Sequence, residues 1–130
     1  MGRRAVLKAT FATLRDVLKK HGRQMMVQAD TPTDYMLASP QMTDRIGRPL
    51  FAAGVQIRKN YVSYHLMPVY ANPLLLKAIS PVLKKRMQGK SCFNFTTIDQ
   101  AQLDELAALT KTGLERYTDL ELPWPAPPRK

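Results

Sequence analysis

The sequence predicts an α+β protein in which an antiparallel sheet of about five strands is flanked by a helix at each end of the chain. Three patterns support this fold class. Apolar residues recur with helical spacing over residues 5–21 and again over 97–119, and they alternate with a period of two over 51–67. A chain of 130 residues is typical of one domain that buries about two-thirds of its unfolded surface. We therefore interpret 1–130 as a single domain.

The first helix is predicted over residues 5–21, with an apolar stripe on one side and basic residues on the other. The stripe consists of Leu7, Phe11, Leu14 and Leu18, and the basic side of Lys8, Arg15 and Lys19. Gly22 is expected to supply the C′ position that ends this helix. A solvated surface is the favoured interpretation of the basic side, and a phosphate contact is the alternative.

A loose hairpin is expected next, from two short apolar runs over residues 25–29 and 35–38. Asp30 and Asp34 lie between the runs, in a segment of residues typical of turns. Both carboxylates are possible metal ligands, but a turn-forming role is favoured because no third carboxylate lies nearby in the sequence. Residues 39–49 are expected to form a linker.

The central hairpin is predicted over residues 51–67, with its turn at Lys59-Asn60. Alternation in its second strand sorts the side chains onto two faces. One face carries Tyr61, Ser63, His65 and Met67, and the other carries Val62, Tyr64 and Leu66. The first set is the more polar, so we expect that face to be at least partly open to water or to a ligand.

Two short helices are predicted before the last strand, because Asn72-Pro73 and Ser80-Pro81 each place a capping residue before a proline. The second helix is predicted over 81–88 and is closed by Gly89. Its last turn would contain Lys84, Lys85 and Arg86, where the helix dipole favours cations.

The last strand and the last helix follow. The strand is predicted over 91–96, with Phe93 and Phe95 on one face and Cys92 and Asn94 on the other. The helix is expected to begin at Thr97, with Gln100 completing a capping box. Its apolar stripe contains Leu103, Leu106, Ala107, Leu114 and Tyr117. Residues 121–130 hold four prolines and form a tail, in which Trp124 is a possible anchor onto the body of the protein.

The charge is high and unevenly distributed. The chain has a formal net charge of +10, and residues 1–98 hold sixteen basic and four acidic side chains, whereas residues 99–130 hold four basic and six acidic ones. Such a field attracts polyanions, so nucleic acid is a possible partner. Solubility alone is the favoured explanation, because no nucleic-acid-binding motif accompanies the charge.

Cysteine content and hydropathy indicate the cellular compartment in which the protein is expected. Cys92 is the only cysteine, so an intramolecular disulfide and a multi-cysteine metal site are excluded and a reducing compartment is favoured. Charged residues interrupt the N-terminal segment, which argues against a signal peptide, and no apolar run reaches the ~18 residues of a membrane span. We expect a cytoplasmic protein without a membrane partner, as a monomer or a homodimer.

The candidate ligand-binding or anion-binding residues surround the polar strand face. They are Lys59, Tyr61, Tyr64, His65, Arg86 and Lys90. Cys92 and His65 are the main candidates for a nucleophile and its base, but alternation alone cannot show that they face each other. No phosphate-binding loop or protease-type or hydrolase-type motif is present, so we expect a non-catalytic binding protein and treat an enzyme using His65 as an alternative.

Metal binding is weakly indicated by acidic residues of the last helix. Asp104 and Glu105 are the candidates, but adjacent residues lie about 100° apart around a helix axis and do not form a chelating face by themselves. A solubilising helix face is the favoured interpretation.

The segments KNYVSYHLMPVY (59–70) and ISPVLKKRMQGKSCFNF (79–95) resemble the YdhG-like family of small domains of unknown function. The similarity covers residues 45–119 and implies an α+β domain with an antiparallel sheet. Positions that match the family pattern are Lys59, Tyr64, His65, Pro68, Gly89, Lys90 and Phe95. Some members are labelled frataxin-like intracellular iron chaperones, so the resemblance also implies iron. The basic body of this chain opposes that expectation, since it repels Fe²⁺.

Overall fold

The computed structural model describes residues 2–43, 46–71, 73–89 and 91–117. The elements are α1 (Arg3–His21), β1 (Met26–Asp30), β2 (Asp34–Thr43), β3 (Pro49–Ile57), β4 (Val62–Leu66), α2 (Met67–Ala71), α3 (Pro73–Ala78), α4 (Pro81–Lys84), β5 (Cys92–Phe95) and α5 (Gln100–Tyr117). The five strands form one antiparallel sheet in the order β1-β2-β3-β4-β5. The predicted fold class is therefore confirmed. The predictions that concern Asn72 and the 121–130 tail with Trp124 lie outside the described residues.

The core lies between one face of the sheet and the two long helices. Leu14 and Leu18 of α1, Leu106 and Leu114 of α5, and the inward side chains of the central strands are buried together. The strand side chains in this cluster include Val55, Val62, Tyr64, Leu66, Phe93 and Phe95. Because strand residues alternate between faces, their neighbours point away from the helices. One face of the sheet is thus apolar and covered, and the other is open.

Gly22 ends α1 as predicted, and its backbone is not left-handed. Its φ is −109° and its N–H donates to the carbonyl of Leu18 over 2.8 Å. A Cβ at this position would lie 2.7 Å from that same oxygen and 2.5 Å from Cδ1 of Leu37. Close approach to β2 and to its own helix, rather than a positive φ, is therefore the physical reason for a glycine here.

The predicted linker after residue 38 is wrong for its first part, because β2 continues to Thr43. Its pairing with β3 is irregular between Ala38 and Thr43. Pro40 lies in this stretch, and a proline removes a ladder hydrogen bond, which is tolerated where the register is irregular. The proline therefore favours a linker in the sequence-based prediction, although the segment that contains it extends strand β2.

The predicted helix over 81–88 is also wrong, because α4 ends at Lys84. Its predicted start is confirmed, since the Ser80 side chain accepts a hydrogen bond from the Leu83 N–H over 3.2 Å. After α4 the chain turns and runs beside β5, where Met87 pairs with Phe93. Gly89, at φ +80°, occupies the turn between these two segments rather than a helix end.

Two further helix boundaries differ from the prediction. The strand predicted to reach residue 67 stops at Leu66, and α2 begins directly at Met67. The N-terminus of α5 is capped by Asp99 rather than Thr97: Asp99 Oδ1 accepts from the Gln102 N–H over 2.7 Å, and Gln102 Oε1 accepts from the Asp99 N–H over 3.4 Å. This reciprocal pair is the predicted capping box displaced by two residues.

Within the described ranges, each helix is too short or too polar to cross a lipid bilayer.

Candidate functional site

The open face of the sheet carries two adjacent rows of side chains that run across the strands. The strand register defines the first row, which we call the His65 row, as Met36, Gly54, His65 and Cys92. The second, the Ser63 row, consists of Asp34, Gln56, Ser63 and Asn94. The alternation predicted for β4 and β5 is confirmed, and the register adds what alternation could not supply. Cys92 and His65 are direct cross-strand partners.

A hydrogen-bonded chain connects Asp34 to His65. The Gln56 amide donates from Nε2 to Asp34 Oδ1 over 2.7 Å, and its Oε1 accepts from Arg58 Nη2 over 2.8 Å. Gln56 Oε1 also lies 3.2 Å from His65 Nε2. The carboxylate on one side and the guanidinium on the other therefore determine the orientation of the amide.

The same arrangement selects the tautomer of His65. An amide oxygen can only accept a hydrogen bond, so the proton must be on Nε2 of the neutral imidazole. Nδ1 then carries the lone pair and makes no hydrogen bond within the described part of the chain. Among the described residues, the one buried side-chain nitrogen or oxygen without a partner is Arg15 Nε. Nδ1 of the half-buried His65 is not in that class, and its lone pair is the one through which the neutral ring can accept a hydrogen bond or bind a metal.

Ser63 lies between His65 and Cys92. Its Oγ is 3.2 Å from His65 Nε2 and 3.0 Å from Cys92 Sγ, and Cys92 Sγ is 3.6 Å from Asn94 Oδ1. The single Nε2–H of His65 is shared between Gln56 Oε1 and Ser63 Oγ; in the polarity that satisfies every group, Ser63 donates to the sulfur and the thiol donates to Asn94. The sulfur thus accepts a hydrogen bond from Ser63, and this bond would be stronger if the sulfur were a thiolate.

Burial lowers the pKa of His65 below its ordinary value of 6.5, and the positive charge of Arg58 lowers it further. The imidazole is therefore neutral at neutral pH. The pKa of Asp34 is lowered as well, but for an acid this favours the charged form. Hydrogen bonds from Thr33 and Gln56 lower the pKa of its carboxyl below 3.8, so the carboxyl stays ionised.

The low pKa of His65 predicts a loss of stability in mild acid. As the pH falls below about 6.5, the unfolded chain takes up this proton before the folded chain does, so the free energy of unfolding decreases, with a slope of at most about 1.4 kcal/mol per pH unit. Replacing His65 with Gln should flatten this dependence, measured by urea unfolding between pH 7.5 and pH 5. His21→Gln measures the separate contribution of the other histidine, since burial also lowers the pKa of His21. Equal slopes in the wild type and His65→Gln would contradict the prediction.

A groove of about 410 Å³ adjoins the His65 row. Its walls are Gln28, Met36, Ala38, Arg48, Pro49 and Phe51. The Phe51 ring meets the His65 ring edge-on, with centroids 6.1 Å apart and planes at 70°. The groove and the polar rows are therefore parts of one continuous surface, with an apolar end and a hydrogen-bonding end.

The structure separates the residues predicted to bind a ligand. His65 lies on the open face, and the backbone of Arg86 pairs beside Asn94, at the edge of that face. Lys59 and Tyr61 are exposed at the β3–β4 turn. Lys90 lies outside the described residues.

Tyr64 faces the core and not the ligand face. It is 0% exposed, and its hydroxyl lies 2.6 Å from Thr110 Oγ1 in α5. Burial raises the pKa of its phenol. Its assignment as a ligand contact is therefore corrected to a core position, in agreement with the face on which alternation places it.

The two metal candidates of α5 have separate partners. The Glu105 carboxylate accepts from the N–H and the hydroxyl of Ser80, over 2.8 and 2.6 Å, whereas Asp104 accepts from Gln100 on its own helix. No group of three or more His, Cys, Asp or Glu side chains suitable for a metal occurs among the residues described. Glu105 therefore serves as a clamp between α4 and α5.

Sequence reasoning did not identify Met36, Gln56, Arg48 or Phe51 as site residues. A glycine within a strand often marks a place where another group approaches closely, and Gly54 was the one available signal. The residues that lie beside Gly54 on the sheet belong to other strands, so their identity depends on the strand register.

Comparison of the chain with protein-family models, with curated proteins and with solved structures found no match. The open face is therefore interpreted from its own geometry. That geometry combines an apolar groove with a hydrogen-bonding network that contains the Asp34 carboxylate and the Arg58 guanidinium. Three half-buried side chains on the same face, Met36, His65 and Cys92, are potential metal donors.

Proposed function

We propose that the protein is a non-catalytic binding protein that takes a small organic anion with an apolar body on the open face of its sheet. The observation that supports this proposal is the continuity of the groove with the polar rows. A ligand lying across that boundary would bury its apolar part and still meet hydrogen-bonding groups, the combination typical of ligand sites.

The chemistry of the groove favours an anion. Met36, Pro49 and Phe51 offer apolar contacts, while Gln28 and Arg48 offer polar ones. Asp34, the carboxylate of the two rows, is already bound by Gln56 and Thr33. The net charge of +10 adds a field that concentrates anions at the surface.

The proposal is tested by titrating the ¹⁵N-labelled protein with 1-naphthoate and following amide shifts at neutral pH. We expect saturable shifts at Met36, Phe51 and His65, and binding of the uncharged 1-naphthamide that is about tenfold weaker, corresponding to about 1.4 kcal/mol. Arg48→Gln should weaken naphthoate binding by a similar factor, because a hydrogen bond to a charged group contributes about 1.5–3 kcal/mol. Arg4→Gln, which removes the same charge from the exposed start of α1, should not.

Equal affinity for the acid and the amide would overturn the charge argument. Shifts confined to surfaces other than the open face would overturn the location. Far-UV circular dichroism of each variant distinguishes lost binding from lost folding.

Thiol chemistry at Cys92 is the second candidate function, and the cross-strand pairing of Cys92 with His65 is the observation that favours it. An activated thiol should react with iodoacetamide at pH 7 tenfold or more faster than an unactivated cysteine thiol. His65→Gln should remove the acceleration. An ordinary rate in the wild type would exclude this function.

We also propose that the fold belongs to the YdhG-like family, which the sequence resembles. The order of helices and strands supports this proposal. The iron delivery that it implies has weaker support. Fe²⁺ prefers several oxygen or imidazole donors together, and Glu105 is engaged by Ser80. Saturable heat in an anaerobic Fe²⁺ titration at physiological salt, lost in the Asp104→Ala/Glu105→Ala double variant, would restore the iron hypothesis.

Nucleic acid is disfavoured as the ligand by the distribution of charge. Basic side chains such as Lys8 and Lys19 are exposed on α1, in the helical layer, whereas Arg48 and Arg58 border the open face on the opposite side. Affinity for single-stranded DNA that falls steeply with salt and perturbs Phe51 would support a nucleic-acid interface instead.

A further inference from the structure

We propose that Met36, His65 and Cys92 form a binding site for one soft monovalent metal ion, with Cu⁺ as the biologically relevant example. The three side chains belong to the His65 row on strands β2, β4 and β5, and Gly54 is the residue between the first two. The proposal goes beyond the organic-anion site and does not rest on it, although Met36 borders both.

The position of the Met36 thioether is the first observation. A Cβ built on Gly54 would lie 2.5 Å from Met36 Sδ and 2.9 Å from its Cε. The missing side chain therefore lets the sulfur lie directly over the β3 backbone. Gly54 is the register partner of His65, so this sulfur lies one strand away from the imidazole, within the adjustment of a flexible methionine.

The close pairing of His65 with Cys92 is the second observation. The neighbouring pair is the hydrogen-bonded one, because the Leu66 N–H donates to the Ser91 carbonyl over 2.7 Å. His65 and Cys92 therefore form a non-hydrogen-bonded pair, in which side chains lie closer together, with Cβ atoms about 4.5–5.5 Å apart. Ser63 Oγ connects Cys92 Sγ to Nε2 of His65 and not to Nδ1, so the Cys92 side chain must rotate away from Ser63 to share an ion with Nδ1.

The support for the imidazole is the third observation. Metal-binding histidines usually donate their second ring N–H to a carbonyl or carboxylate, which fixes the tautomer and the ring orientation. His65 has this arrangement, since Nε2–H donates to Gln56 Oε1 and Gln56 is held in turn by Asp34. The ligating atom would be Nδ1, the ring nitrogen that carries the lone pair.

The donor set selects the metal. Thiolate and thioether sulfur favour Cu⁺, and imidazole is compatible with it, whereas hard cations require oxygen donors. On binding, the Cys92 thiol loses its proton to solvent and the sulfur forms the bond to Cu⁺. The ion and the thiolate then cancel in charge, so the basic body of the protein opposes Cu⁺ less than it opposes Fe²⁺.

The test is an anaerobic titration of the full chain with Cu⁺ in competition with bicinchoninate, a chelator whose Cu⁺ complex is coloured. We expect one ion per chain. Met36→Leu and His65→Gln should each weaken binding by about tenfold or more, and Cys92→Ser by a larger factor. Gln56→Leu should weaken it about 10-fold through the orientation of His65.

The chain supplies matched controls. Met26→Leu, on β1, and His21→Gln, at the end of α1, remove the same donor types elsewhere and should leave the affinity unchanged. In a protein with ¹³C-labelled methionine methyl groups, Cu⁺ should shift Met36 and leave the other six methionines in place. The methyl spectrum of each variant also verifies that it is folded.

Unchanged affinity in both Met36→Leu and His65→Gln would overturn the proposal, because it would show that the Cys92 thiol binds Cu⁺ without the other two side chains. An absence of competition with bicinchoninate would overturn it as well. Neither outcome affects the naphthoate titration, whose decisive variant is Arg48→Gln.

Discussion

Replacing Tyr64 with Ala is expected to lower the free energy of unfolding by about 3–5 kcal/mol, the range for removing a large aromatic side chain from a core. The ring is fully buried against the helical layer. Its hydroxyl donates to Thr110 Oγ1, since Thr110 uses its own proton to bond the Leu106 carbonyl over 2.7 Å. The substitution therefore leaves both a cavity and an unsatisfied buried hydroxyl oxygen. Urea unfolding at pH 7 measures the loss.

Two variants separate these contributions. Tyr64→Phe keeps the ring and removes only the hydrogen bond, so we expect a loss of about 1 kcal/mol. Tyr61→Ala lies at the exposed β3–β4 turn, on the other side of the sheet, and should change stability by about 0.5 kcal/mol or less. A Tyr64→Ala protein with wild-type stability and weakened naphthoate binding would contradict the core assignment.

Replacing Glu105 with Ala is expected to cost about 2 kcal/mol, because hydrogen bonds to a charged group are stronger than those between neutral groups. Both carboxylate oxygens are engaged by Ser80, which also caps α4 through the Leu83 N–H. Without the carboxylate, the half-buried Ser80 N–H loses its partner and α4 loses a polar link to α5, although Leu83 of α4 stays in the core. Thermal unfolding should show a decreased midpoint.

Asp104→Ala is the matched control, since it removes the same charge one residue away. Its carboxylate accepts from the side chain of Gln100 on the exposed surface of α5, so we expect a change within about 0.5 kcal/mol. Equal losses in the two variants would show that helix charge, and not the Ser80 clamp, is responsible.

Several elements were predictable because their signals are local. The amphipathic spacing of α1, the alternation of β3 and β4, and the proline-marked start of α4 depend on residues within a few positions of each other. Boundaries were less predictable where two local signals competed. The Thr97 and Asp99 caps illustrate this, because both residues can accept from a helix N–H and only packing selects one of them.

The functional surface was predictable in part. Alternation placed His65 with Ser63 and placed Cys92 with Asn94, because the side-chain period of a strand is two. It also separated Tyr64 from His65, although aromatic and basic residues near His65 were grouped with it as ligand candidates. Those candidates were grouped because they lie close together in the sequence, but the two faces of the strand separate Tyr64 from His65.

The sequence by itself determined the fold class, the two faces of the central strands and the net positive charge, since each follows from composition or from a repeat of two or 3.6 residues. Only the tertiary structure decided which strands adjoin and in what register. A shift of one residue would have sent each side chain to the other face. The observed register brings Met36, His65 and Cys92 into one row, because strand pairing joins residues that are far apart in the chain.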